Sequence, residues 1–201
     1  MPALSTPESS LGAAAWTGLA CGAATALIWA AWVIATRHAV TGHFGPADIA
    51  FLRFGVSACI LLPVLWVGRA TLRKVPVRYL VAMLAGAGGP FVLTASMGAQ
   101  FAPASHMATL MIGLMPAFVA VLSTLVFRQS LTTKQMAGVV IVFTGVMFIG
   151  GHALVHNRAA GEWRGDLLFI LAGFLFAAFT VSQRASGLSP WVGTALVNVG
   201  S

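Results

Sequence analysis

Ala104 to Phe127 is an unbroken run without a formally charged residue, and it constrains the chain more than any other stretch. A helix needs roughly 20 apolar residues to cross a bilayer, and this run is long enough. Arg128, Gln129, Ser130, Thr132, Thr133 and Lys134 supply a polar turn, after which Gln135 to Gly151 crosses back. Pro116 falls inside the first crossing, where it removes a backbone hydrogen bond; a bilayer tolerates this only if neighbouring helices or water satisfy the freed carbonyl. Gly138 and Gly145 lie seven residues apart on one helix face, a spacing that predicts close approach of another helix. The pattern is that of a helical hairpin packed inside a membrane bundle.

The rest of the chain follows the same rule. With 59% hydrophobic and 7% charged residues and a mean hydropathy of +0.93, it lacks the polar surface of an ordinary soluble domain. The net charge of +7 does not signal nucleic acid, because Lys and Arg collect in loops between apolar runs and form no aromatic–basic stripe. Cys21 and Cys59 sit within apolar runs and outside any CxxC pair, which excludes a disulfide framework or a zinc site as the organising feature. The first ten residues lack the positive n-region of a cleavable signal peptide, so the first apolar run is expected to remain as a transmembrane helix.

Taken in order, the apolar runs predict helices over about 16–36, 48–68, 79–100, 104–127, 135–151 and 165–183, with a seventh begun at Pro190. Gly86, Gly88, Gly89 and Pro90 interrupt the third run midway. Alternating crossings put Arg69, Arg73, Lys74, Arg78, Arg128, Lys134 and Arg184 on one side and Arg37, Arg158 and Arg164 on the other. Positive loops favour the cytoplasm, which places the N-terminus there.

An ungapped overlay of the first run on the sixth pairs Trp16 with Trp163, Gly18 with Gly165, Ala30-Ala31 with Ala177-Ala178, and Arg37 with Arg184. It sets Trp29 and Trp32 opposite Phe176 and Phe179. Five helices separate equivalent points, and an odd number of crossings inverts the second copy, as in the inverted repeats of secondary transporters. With Trp29, Leu52-Arg53-Phe54, Pro116-Ala117-Phe118, the run from Arg128 through Leu131-Thr132, Gln135 and Gly138 to Gly145-Val146, and Gly165-Asp166-Leu167, the chain resembles the EamA family of the drug/metabolite transporter superfamily. The resemblance implies an all-α polytopic bundle of two inverted five-helix repeats. On it, residues 1–15 are a cytoplasmic tail, 16–151 the first repeat, 152–164 a loop, and 165–201 the start of a second repeat that the sequence leaves in its seventh helix. Gln129 departs from the family, in which a glutamate is frequent just before the Leu-Thr of that turn.

Transporter sites lie near the midplane, where broken helices expose backbone groups. Thr25, Trp29, Trp32 and Thr36 share one face of the first helix and offer an aromatic wall. Pro90, Thr94 and Met97 surround the break in the third, His106, Thr109 and Gly113 lie on the fourth, and Phe179 is the repeat counterpart of Trp32. These ten, Thr36 aside, are the candidate substrate-binding residues, each with ordinary helix packing as its alternative. Arg53 is the one ionised side chain inside an apolar run; the reading favours snorkelling, with Asp48 as partner.

No phosphate-cradling loop, metal-ligand set, paired carboxylates or Ser/His/Asp constellation stands out, so no enzyme activity, cofactor or metal is expected. The resemblance implies a secondary carrier in a bacterial inner membrane, exporting or exchanging small metabolites such as amino acids by alternating access. Lipophilic drugs or nucleotide-sugar-like solutes are the alternative cargo. The different-class alternative is a non-transporting, half-length membrane subunit. The partners expected are a small-molecule substrate, the lipid bilayer, and a second repeat or homologous subunit, with no nucleic acid.

Overall fold

Polar turns and glycine breaks cut the chain into helices, and the computed structural model describes residues 8–155 and 161–201. In order these are α1 (Glu8–Thr41), α2 (Pro46–Leu72), α3 (Val77–Ala87), α4 (Gly89–Phe101), a three-residue α5 (Ala104–His106) running into a π-helical turn (Met107–Ile112), α6 (Met115–Phe127), α7 (Thr133–Val155), α8 (Glu162–Ser186) and α9 (Pro190–Gly200). No strand occurs among the described residues. Among the described residues, five stretches are long and apolar enough to cross a membrane: Ala15–Thr41, Pro46–Leu72, Val77–Phe101, Ala104–Phe127 and Glu162–Ser186. The protein is an all-α polytopic membrane protein, as the apolar runs require.

Local chemistry fixes where the helices start and break. Pro46 opens α2, and the Asp48 carboxylate accepts the Gly45 N–H at 2.8 Å, covering a donor with no partner inside the helix. Asp48 is therefore a helix cap and not the partner of Arg53. The third span breaks at Gly88, whose ψ of −150° ends α3, and Pro90 restarts the chain in the first turn of α4. Pro116 likewise sits in the first turn of α6 rather than inside a continuous helix. The N–H it lacks would have bonded the carbonyl of Ile112. Just upstream the helix widens to a π turn, closed by the Gly113 N–H on the Ala108 carbonyl at 3.1 Å. At the start of α7, the Thr132 N–H donates to Gln135 Oε1 at 2.9 Å and the Gln135 N–H to Thr132 Oγ1 at 3.3 Å, a reciprocal capping box.

The helix ends run past their sequence-based limits. α1 starts at Glu8, because Ala13–Ala15 favour helix, and only residues 1–7 of the expected 1–15 tail precede it. It also continues beyond Arg37 to Thr41, since the Arg37 guanidinium donates to the Ala99 carbonyl near the end of α4. α7 reaches Val155 and α8 begins at Glu162, so most of the expected 152–164 loop is helical or lies outside the described residues.

Apolar side chains gain little by leaving lipid for a protein interior, so close backbone approach decides which membrane helices meet. Here α8 is the centre, packing on α3, α4, α6 and the π turn. Small residues permit it. A Cβ on Gly165 would stand 2.9 Å from the backbone nitrogen of Ala102, one on Gly98 2.8 Å from the Phe169 ring, and one on Gly173 2.8 Å from the Met111 carbonyl. Phe91, Phe169, Met83, Met107 and Met111 fill the core around these crossings and are fully buried. The predicted contact at Gly138 and Gly145 is absent: a Cβ at either meets nothing within 4 Å, and α7 packs chiefly on α6 at the edge of the bundle. Of the hairpin, α6 enters the interior and α7 does not.

Candidate substrate cavity

Trp29 and Trp32 lie three residues apart on α1, and Phe176 and Phe179 three apart on α8, so each pair shares a helix face. The two faces meet. The Trp29 and Phe176 rings are 5.1 Å apart at 90°, and Trp29 and Trp32 5.5 Å apart at 80°, both edge-to-face. Phe91, on the first turn of α4, completes the cluster, stacked on Trp32 at 5.9 Å and tilted on Phe176 at 5.4 Å. Phe179 joins through Phe176 at 5.4 Å.

Two clefts flank this cluster and share Trp29. One, of about 700 Å³, lies between α1, the α5–π segment and α8, with Thr25, Trp29, Ser105, Ile112, Met115 and Phe176 on its walls. The other, of about 540 Å³, lies between α1 and α2, walled by Trp29, Trp32, Thr36, Phe44, Ile49 and Arg53. Both have the size and apolar lining of a small-molecule site. Thr36 is buried; the Thr25 hydroxyl donates back to the Cys21 carbonyl at 2.8 Å, a bond within α1.

The remaining sequence candidates fall elsewhere. Pro90, Thr94 and Met97 lie along the outward stripe of α4, opposite the buried Val92 and Ala99, and line neither cleft; the Thr94 hydroxyl donates to the Pro90 carbonyl at 2.7 Å. Thr109 donates to the Ser105 carbonyl at 2.6 Å, and Gly113 ends the π turn. His106 holds a structural contact: its Nδ1 is 2.8 Å from Oδ1 of Asp166, a buried carboxylate in the first turns of α8. The pair ties the fourth span to α8. Sequence reading found His106 without its partner, because nothing local links residues 60 positions apart. It also missed Phe91, whose one signal is its place after the Gly-Gly-Pro break.

Arg53 faces the α1–α2 cleft. Its guanidinium lies 5.5 Å from the Trp32 ring centre and 5.7 Å from that of Phe54, within cation–π range of both. Groups of three or more residues able to hold a metal do not occur among the described residues.

Residues 16–151 match the EamA-like transporter family. The chain is also 27% identical over 148 residues to the uncharacterized transporter YyaM of Bacillus subtilis (strain 168), covering 71% of this chain and 48% of that protein. The chain thus spans about half the length of the curated relative it matches. No solved structure matches it. With its family domain across more than half of its length, the chain belongs to the EamA-like transporter family.

Proposed function

We propose that the protein is a secondary transporter that exports or exchanges small metabolites such as amino acids by alternating access, with its substrate beside Trp29. The contact between Trp29 and Phe176 carries this reading. The sequence overlay makes these two residues equivalent in inverted repeats, and equivalent residues that touch must lie close to the pseudo-two-fold axis relating the copies. Inverted-repeat transporters bind substrate near that axis, beside helices that are broken. Here the broken third and fourth spans stand next to the same cluster. Rocking of the α1–α7 half against the half opened by α8 would expose the clefts to one side and then the other. The ten sequence candidates then divide: Thr25, Trp29 and Trp32 contact substrate, Phe179 buttresses them, and the others shape the helices around the site.

The loop charges support an inner-membrane location with the N-terminus in the cytoplasm. The exposed apolar face of α1, with Leu27 72% and Ile28 69% accessible, suits the lipid bilayer as a partner, beside a second repeat of the same chain or a homologous subunit. A comparison of strains with and without the gene tests the function: intracellular amino-acid pools should rise when it is deleted and fall when it is overexpressed. Unchanged pools with a changed tolerance to lipophilic drugs would move the cargo to that class, and no change in either would overturn the transporter reading.

A further inference from the structure

An ionised side chain in an apolar span is expensive, and such groups normally pair with another charge. Arg53 lies seven residues into α2, about 10 Å along the helix from Pro46 at roughly 1.5 Å per residue. The chain has only four acids. Asp48 caps Gly45, Asp166 pairs with His106, and Glu8 and Glu162 sit at the starts of α1 and α8. Among the described residues none forms an ion pair with Arg53, and its guanidinium makes no hydrogen bond. What it touches is the rings of Trp32 and Phe54. Ring contacts engage the positive charge through the π face and leave the N–H donors, a planar fork that matches a carboxylate, without acceptors.

We propose that Arg53 is the anion hook of the α1–α2 cleft, binding the carboxylate of a solute whose apolar or aromatic body rests on Trp29 and Trp32. This rests on the transporter reading and adds the sign of charge to it. The aromatic wall alone would suit cations equally well, but a cation seated there would lie against an uncompensated guanidinium. The cleft, at about 540 Å³, has room for an amino-acid-sized body, and the buried Thr36 hydroxyl sits on the same wall. The phosphate of an anionic lipid could offer the same charge between α1 and α2, so the test separates the two sources.

The full-length protein in nanodiscs of neutral phosphatidylcholine is titrated with N-acetylphenylalanine and with N-acetylphenylalaninamide, which share a body and differ in the carboxylate. The carboxylate is expected to bind about tenfold or more tightly than the amide, the scale of a charge-assisted hydrogen-bonded pair. Arg53→Gln should abolish the preference, and Arg53→Lys, which keeps the charge without the fork, should retain part of it. Equal binding of the two probes, binding of neither, or a preference that survives Arg53→Gln would overturn the proposal. Loss of carboxylate binding when phosphatidylglycerol is added would give the site to lipid and overturn it as well. Monodisperse variants with native thermal stability make the Gln result a binding result. Carboxylate binding without measurable flux would leave Arg53 as the hook and count against transport alone.

Discussion

Gly173→Ala and Gly138→Ala make the same chemical change in the interior of two membrane helices, and the structure assigns them opposite outcomes. A methyl on Gly173 would lie 2.8 Å from the Met111 carbonyl oxygen and 3.4 Å from its Cα. Carbon and carbonyl oxygen settle at about 3.3–3.6 Å, so α8 and the π turn must part by roughly half an ångström or more. Both obstructing atoms are backbone, and no rotamer change relieves them. Overpacking of this kind costs about 1–3 kcal/mol. A methyl on Gly138 meets nothing within 4 Å. Both variants gain the same helix propensity, about 0.8–1 kcal/mol for Ala over Gly, so their difference isolates the packing cost. Equilibrium unfolding of the purified protein in mixed detergent micelles should therefore rank Gly138→Ala at or above wild type and Gly173→Ala below Gly138→Ala by about 1–3 kcal/mol. Equal stability of the two variants would refute the claim that α8 is held by backbone-to-backbone approach.

Other perturbations follow from single contacts. His106→Ala removes the imidazole from the buried Asp166 carboxylate and should cost about 1–3 kcal/mol in the same unfolding measurement, with Asp166→Asn milder because an amide can still accept from the ring. Gln135→Ala breaks the capping box that starts α7 and should cost about 1 kcal/mol; hydrogen exchange at Thr132, whose N–H loses its acceptor, should rise while exchange in α8 stays unchanged. Gly138→Leu, a bulky change at an open position, should leave yield and thermal stability close to wild type.

Much of this architecture is legible in the sequence because a bilayer imposes it. The long apolar helices and the interruption at Gly88–Pro90 follow from where charge, Gly and Pro are allowed. The Trp29/Trp32 face was legible too, from helical spacing alone. What was not legible is tertiary choice among similar glycines. Gly138 and Gly145 share a helix face as convincingly as Gly165 and Gly173 do, yet only the second pair meets a neighbour. Spacing says which glycines share a face; it does not say which face is covered. For the same reason the sequence points to the hairpin from Ala104 to Gly151 as the packed element, whereas the centre is α8, since its small residues lie opposite Gly98, Ala102 and Met111. Arg53 shows the limit most clearly. Its nearest acid in sequence, Asp48, satisfies a backbone N–H, and one of the two rings it touches, Trp32, comes from α1, a different helix.

The most direct test of the account is counterflow in proteoliposomes of the full-length protein, preloaded with unlabelled amino acids and assayed for uptake of each in labelled form. Preloading should accelerate uptake of at least one of them in the wild type, and Trp29→Ala, inserted to the same level, should lower that uptake about tenfold or more, the scale on which losing a substrate-stacking aromatic weakens binding. Flux no greater than in empty liposomes across the panel, or full flux with Trp29→Ala, would contradict the placement of a transport site beside Trp29.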